Sequence, residues 1–406
     1  MPKWLVLRSG VGTEKRAHLD APVVVIAAFL EISQFLRPSM ADGLNAESLI
    51  LPSMATRLDP LHPGHGQPAS FALDIGGTLA KVAYLCPKAE GKCCGSSELR
   101  LVSFKTDDLD TCLNFIRHHV ISYSNNHNIT VYSTGVGCSK YRQKIADTLS
   151  VDLQADTREM DHALNGVDFL WRHLPSNQLV YEGSDVKGLN FGVPFAQSGV
   201  GPCILITLGS ALCISKVSAE GSCEGLVGGS SQGGLTFLGL GALLTKAQSF
   251  EELIQLAEKG DRRNVDLLVK DTAGSDYNNA PSDSMVSSFG KAAKMLAQKS
   301  GERLSEADIA SSLLYLITDQ MAQTVYLVAK CQNVSRAVFC GSFLSHNQSI
   351  ISQIREKLAS ASVYLDHTVS PVFMQREGYM GAIGVLAAQM NLCTNGTTFH
   401  VPDLAT

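Results

Sequence analysis

The chain has 406 residues, of which 45% are apolar and 17% charged. That suits one large α/β domain or two lobes and excludes wholesale disorder. Lysine and arginine total 33 against 38 acidic residues, a net charge of −5, so the basic field of a nucleic-acid binder is absent.

The first 68 residues differ from the rest and are expected to form a poorly ordered extension. The apolar run from Val23 to Leu30 is interrupted by Glu31 and Gln34 too early for a membrane span and starts too deep for a secretory signal. Lys3, Arg8, Lys15 and Arg16 would suit an organelle-targeting peptide, whereas Glu14 and Asp20 would not. Pro52, Pro60, Pro63 and Pro68 with Gly64 and Gly66 read as a linker. A two-lobed domain is expected over 69–395, the first lobe about 69–200 and the second about 201–395, followed by a tail at 396–406.

From Ser70 onward apolar runs alternate with helical patterns. Strands are predicted at Phe71–Ile75, Val82–Cys86, Ile129–Ser133, Ile204–Leu208, Leu212–Val217 and Ala337–Cys340. Helices are predicted at Leu109–Ser122, Glu159–Leu170, Phe237–Leu244, Phe250–Glu258, Glu306–Ala329, Asn347–Leu358 and Tyr379–Gln389. Ser305 followed by Asp308 resembles a capping box for the longest, whose Leu313, Leu316, Ile317, Met321, Val325 and Val328 fall on one face. The 11 cysteines include Cys203, Cys213 and Cys340 in apolar runs, which reads as reduced buried thiols in an intracellular protein. The Cys93-Cys94 pair has no second pair at zinc-ligand spacing.

Several segments have the composition of phosphate loops. In the stretch Phe71 to Lys81 an apolar strand delivers Asp74 to its end. Gly76 and Gly77 permit a tight turn whose amides can face phosphate oxygens. Thr78 offers a hydroxyl, Lys81 a cation, and Asp74 a carboxylate for Mg²⁺. A plain hairpin with an incidental Asp-x-Gly would look the same. It is no Walker loop. Thr134-Gly135-Val136-Gly137 makes a turn between strand and helix. Leu208-Gly209-Ser210 ends a second buried strand, and two such hairpins can grip one nucleotide from opposite lobes. Gly228 to Phe237, with Gly233 and Gly234, reads as a ligand loop opening a helix whose amides can bind an anion. Gly341-Ser342 ends another strand. Glu159 lies in the first helical turn after Thr157, a candidate cap, and His162 reads as a solvated helical residue.

In their shared order these segments resemble the eukaryotic-type (type II) pantothenate kinases from Phe71 to about Leu392. The carriers are Asp74-Ile75-Gly76-Gly77-Thr78 with Lys81, Thr134–Tyr141, Leu208-Gly209-Ser210 and Gly229–Leu240. Ser287-Ser288-Phe289-Gly290, Phe339–Phe343 and Glu377–Ala382 also match. The resemblance implies an acetate-kinase/Hsp70/actin-like fold (ASKHA), with ribonuclease-H-like halves around a nucleotide cleft. It implies a dimer that phosphorylates pantothenate with ATP and Mg²⁺ in the first step of coenzyme A synthesis, with acyl-CoA as feedback inhibitor. Glu159 matches the family's catalytic glutamate in Glu159-Met160-Asp161 followed by Gly166. Asp74, Gly76, Gly77, Thr78, Lys81, Gly209, Gly233, Gly234 and Gly341 match its ATP and phosphate contacts, and Ser210 and Cys213 its substrate contacts. A cytoplasmic location is expected, with organelle targeting by the N-terminal extension as the alternative, and neither nucleic acid nor a membrane span is expected.

The chain also departs from the family. The place of a pantothenate-binding arginine falls on Leu226, or on Gly225 if the gap moves, and no Lys or Arg occurs from Ser218 to Gly229. An unreplaced cation would cost about 1.5–3 kcal/mol of carboxylate binding. Cys213 stands for a serine, and Leu235 and Val136 for glycines. Three readings result: an active kinase working as a homodimer, a weak or inert subunit or regulator working in a heteromer with a paralogue, or, a distant third, another small-molecule kinase on the same fold.

Overall fold

Phe71, Ala72, Leu73 and Ile75 are all buried on one strand, Ala72 in one core and the other three in another, the pattern of a strand covered on both faces. The same pattern recurs on the strand Cys203–Leu208, and around these two strands the chain builds two sheets of similar plan. The computed structural model describes residues 54–57, 71–87, 97–121, 130–278, 280–298, 303–344 and 347–390, all within one unit, Ser48–Thr406. The run from Val23 to Leu30, the Cys93-Cys94 pair and the tail from 396 lie outside the described residues.

The strands are β1 (Met54–Arg57), β2 (Phe71–Ile75), β3 (Leu79–Pro87), β4 (Ser97–Lys105), β5 (Thr130–Thr134), β6 (Asp152–Ala155), β7 (Cys203–Leu208), β8 (Leu212–Val217), β9 (Cys223–Ser230), the short pair β10 (Leu267–Leu268) and β11 (Met285–Ser287), β12 (Arg336–Cys340) and β13 (Ser370–Phe373). The longer helices are α1 (Leu109–His119), α2 (Val136–Leu149), α3 (Glu159–His173), α4 (Gly234–Leu244), α5 (Phe250–Lys259), α6 (Glu306–Cys331), α7 (Gln348–Tyr364) and α8 (Met380–Gln389).

The first sheet runs β1-β4-β3-β2-β5-β6 and the second β13-β12-β7-β8-β9. In each, three consecutive strands pair antiparallel, and the first of the three pairs parallel with a fourth that pairs parallel with a fifth. Read from the third strand outward, both halves give the order 3-2-1-4-5. This duplicated ribonuclease-H-like plan is the ASKHA fold. Met54–Arg57, inside the stretch expected to be an unordered extension, adds an edge strand to the first sheet.

Each half ends in a helix, α3 and α8, and these two pack on each other. Two glycines set how closely. A Cβ on Gly166 would lie 2.1 Å from the Met380 carbonyl oxygen, and one on Gly384 1.8 Å from that of His162. Although late in sequence, α8 packs on β2 and β5 of the first lobe. Its Ala382, Ile383, Val385 and Leu386 share a core with Val167, Leu170 and Trp171 of α3.

Local expectations fared unevenly. Ser305 caps α6 by accepting the Asp308 amide at 3.0 Å, as its position predicts. Leu313, Ile317, Met321 and Val325 are buried on that helix. The segment Gly228 to Ser230 is strand rather than loop. Gly229 must be small there, since a Cβ would lie 2.7 Å from the Leu212 carbonyl oxygen of the neighbouring strand. Strands β4, β6 and β13 were absent from the sequence reading because their alternation is short or interrupted by charge. Cys203 and Cys340 are buried thiols as expected, whereas Cys213 is only half-buried.

Candidate active site

The first hairpin joins β2 and β3. Asp74 stands opposite Lys81 in register, and the ammonium lies 3.3 Å from Asp74 Oδ2. Two glycines make room for this carboxylate. Gly135 has a φ of 94°, a region that favours glycine, and a Cβ there would lie 2.4 Å from the Ile75 carbonyl oxygen and 2.8 Å from Asp74 Oδ1. A Cβ on Gly381, from α8, would lie 2.8 Å from Asp74 Oδ2. The turn is closed by Gly76 donating to the Leu79 carbonyl at 2.9 Å and held by Thr106, whose hydroxyl donates to the Gly76 carbonyl at 3.0 Å. Gly77 is exposed, and a Cβ there would meet nothing within 4 Å. Its smallness is not required by packing.

The second hairpin, between β7 and β8, carries Gly209 and Ser210. It faces the first directly: Thr78 Oγ1 and Ser210 Oγ are 3.1 Å apart across 132 residues of sequence. Gly233, Gly234 and Gly341 gather behind it. Gly341 has a φ of 108°, and a Cβ would lie 2.3 Å from the Leu208 carbonyl oxygen. Its amide donates to the Glu377 carbonyl at 2.7 Å.

The expected anion site at the start of α4 is corrected here. Gly234 donates to the Gly209 carbonyl at 2.9 Å, Leu235 to the Ser210 carbonyl at 3.3 Å, and Gly233 to Thr236 Oγ1 at 3.2 Å. The Gly234 and Leu235 amides are spent on holding the hairpin and the Gly233 amide on the Thr236 hydroxyl of its own helix, so Gly233 and Gly234 shape the loop rather than offer it donors.

Glu159 opens α3. The residue before it, Arg158, occupies the cap position and makes no side-chain cap, so Thr157 is not the cap. Asp156 does that work from further back, accepting the Arg158 amide at 3.0 Å and the guanidinium at 2.7 and 3.1 Å. His162 is buried at 2% exposure, not solvated, with Nε2 3.3 Å from Asp156 Oδ2. Burial would raise the Asp156 carboxyl, but hydrogen bonds from His162 and Arg158 outweigh it and hold the group well below the usual carboxylate range. The start of α3 is thereby braced.

Glu159 itself is open to solvent, yet the crowded walls around it strip much of its hydration. Burial first, then repulsion from Asp74, push its carboxyl up to about 7, against opposing help from Lys81 and the Val136 amide. The groups that act on it are thus Asp74, Lys81 and the start of α2, and it in turn acts on Cys213. Burial and then the Glu159 charge push the Cys213 thiol up. One carboxylate near neutrality, one paired with lysine, and two hydroxyl-bearing hairpins meet in one place.

Among the described residues no three His, Cys, Asp or Glu side chains are grouped to hold a metal by protein ligands alone. The Asp74–Glu159 pair instead suits a cation that arrives with phosphate oxygens and waters. Thr134 fits the same arrangement. It stands opposite Asp74 in the ladder, and its buried hydroxyl has no hydrogen-bond partner among the described residues.

Among the functional residues, sequence reasoning missed the bracing pair Asp156 and His162. An Asp three residues before the glutamate and a His three after it was the only signal, and it is a weak one.

A rice (Oryza sativa subsp. japonica) protein named pantothenate kinase 1 is 31% identical over 329 residues, covering 79% of this chain and 47% of that protein. A mouse (Mus musculus) protein named 4'-phosphopantetheine phosphatase is 31% identical over 343 residues, covering 77% and 40%. The chain therefore spans less than half the length of these two. It covers 90% of Arabidopsis thaliana pantothenate kinase 1, which is 30% identical over 367 residues. Among solved structures, a ROK family glucokinase from Streptomyces griseus in complex with glucose and AMPPNP covers 81% of this chain and 100% of its own at 11% identity and a TM-score of 0.42. The family model described as Fumble matches residues 70–388, and on that match the chain belongs to the Fumble family of pantothenate kinases.

Proposed function

We propose that the chain transfers the γ-phosphoryl group of ATP to the primary hydroxyl of pantothenate, giving 4'-phosphopantothenate and ADP, the opening step of coenzyme A synthesis. The observation that carries this reading is the 3.1 Å contact between Thr78 and Ser210. It sets the two hairpins face to face around one cleft with Glu159 at its edge.

In the reaction the acceptor oxygen forms a bond to the γ-phosphorus while the β–γ bridging P–O bond breaks and its electrons leave with ADP. Glu159 takes the acceptor proton. A base near neutrality matches that task, being largely ionised at working pH yet basic enough to accept. Lys81, held by Asp74, offsets charge on the phosphate oxygens. Asp74, with Glu159 nearby and Thr134 behind, would hold Mg²⁺. The ion's contribution when bound is to neutralise phosphate charge. Ser210 and Cys213 line the acceptor side.

Glu159, Asp74 and Lys81 are retained together and converge, which favours the active kinase over an inert subunit. The reading extends to a dimer, to inhibition by acyl-CoA and to a cytoplasmic location. Among the described residues no helix is long and apolar enough to cross a membrane. The test is ADP release by the purified full chain with ATP, Mg²⁺ and pantothenate, beside Glu159→Gln. Pantothenate-dependent turnover lost in the variant supports the reading. Equal turnover in both removes Glu159 as base.

A further inference from the structure

Asp74 and Glu159 stand on separate elements, β2 and the start of α3, and their charges repel. Asp156 joins those elements. Its amide donates to the Ser133 carbonyl at 2.8 Å, and Ser133 lies on β5 next to Thr134, which stands opposite Asp74 in the ladder. Its carboxylate reaches the other way. It accepts the Arg158 amide at 3.0 Å, one residue before Glu159, and lies 3.3 Å from Nε2 of His162, three residues after it. The base is thus held from both sides across one helical turn.

His162 carries the hold further. Its carbonyl oxygen is where Gly384 of α8 comes closest, a Cβ there lying 1.8 Å away. One turn earlier on α8, Gly381 approaches Asp74 so closely that a Cβ would lie 2.8 Å from Oδ2. The contacts close a ring that runs from Asp74 through β5, Asp156, the start of α3 and α8 back to Asp74. The Arg158 guanidinium adds little to it, since that side chain is 50% exposed and a solvated ion pair contributes little. The His162 imidazole is buried, where a hydrogen bond to a charged acceptor is strongest.

We propose that Asp156 and His162 are positioning residues that fix the spacing of Glu159 and Asp74, and with it the approach of the acceptor hydroxyl to the γ-phosphorus. The inference rests on the kinase reading above. Misplacing a reacting group by about 1 Å costs up to about 100-fold in rate. The nucleotide, given to the two hairpins in that reading, should bind as before.

The test compares the full chain with Asp156→Asn, His162→Phe, the double variant, and His162→Gln, whose amide nitrogen can take the place of Nε2. ADP release is followed with saturating pantothenate, Mg²⁺ and ATP. The rate is referred to sites counted by calorimetric titration with a non-hydrolysable ATP analogue, so that unfolded protein does not enter it. kcat should fall about tenfold or more in Asp156→Asn and in His162→Phe. The double variant should lose no more than about twofold beyond either, because the two residues act through one contact, and His162→Gln should stay close to the parent. The Kd of the analogue should be unchanged throughout, a split that destabilisation alone does not produce. Parent-like kcat in Asp156→Asn or His162→Phe overturns the inference and leaves the kinase reading standing, as do additive losses or an analogue Kd that weakens in step with kcat. If Asp156→Asn does not fold, the His162 variants decide, equal kcat in His162→Phe and His162→Gln overturning the inference. If the parent releases no pantothenate-dependent ADP, the kinase reading fails and the inference falls with it.

Discussion

Replacing Glu159 by glutamine keeps its shape and removes its charge, and the structure predicts opposite effects on stability and turnover. In the fold the carboxyl titrates at about 7 against 4.5 for the free side chain, chiefly because the cleft walls desolvate it and Asp74 repels it. Below the lower value both states are protonated and the residue is neutral to stability. As pH rises from there to about 7, the unfolded chain ionises first, so the native state loses stability; above that window the loss is constant. At full strength the difference is about 3 kcal/mol. Because Glu159 is open to solvent, screening reduces this to about 1–2 kcal/mol. Glu159→Gln should therefore be more stable than the parent by about 1–2 kcal/mol at about pH 8, with the gain vanishing toward about pH 4.5. Its turnover should fall about 100-fold or more. Urea unfolding followed by circular dichroism across that pH range, beside a coupled assay of ADP release, measures both. A variant less stable than the parent at the higher pH, or a difference that ignores pH, refutes the reasoning.

For the parent chain, kcat/KM should rise with pH through about 7 and then level off, because the base acts in its ionised form; a flat profile over that range contradicts the assignment. Gly77→Ala should fold normally, since a Cβ there meets nothing within 4 Å, but weaken ATP binding by intruding on the phosphate side of the turn, measurable by calorimetry. Gly135→Ala should instead destabilise the fold by about 2 kcal/mol or more, seen in thermal melts, because its Cβ would lie 2.4 Å from the Ile75 carbonyl oxygen at a φ of 94°. Removing divalent metal with EDTA should abolish turnover while leaving the circular dichroism spectrum unchanged, as expected when the cation is carried by the nucleotide and not by a protein cluster.

Much of this molecule was legible in the chain. Strands β2 and β7 announce themselves by apolar runs ending in Gly-Gly-Thr or Gly-Ser, β8 by the apolar run that follows the second of these turns, and α6 by its cap and its spaced apolar face, because local chemistry and tertiary role agree there. The candidate site residues Asp74, Thr78, Lys81, Glu159 and Ser210 were readable as chemistry-bearing groups at strand and helix ends. What Gly233 and Gly234 do was not. A glycine pair before a helix looks like an anion loop, and only the folded chain shows those amides turned onto the Gly209–Ser210 hairpin. His162 was misread because a single polar residue on a helix defaults to solvent. Its imidazole is buried at 2% exposure and meets Asp156 instead, an arrangement that only the tertiary packing around α3 produces.

By itself the sequence determined which residues could bind phosphate and deprotonate an alcohol, since those capacities belong to side-chain types and to glycine's freedom in turns. Only tertiary structure decided that two hairpins 132 residues apart share a 3.1 Å contact. It alone decided that Glu159 lies beside Asp74 with its proton affinity raised. Proximity and desolvation are properties of the packed chain, and no local pattern carries them.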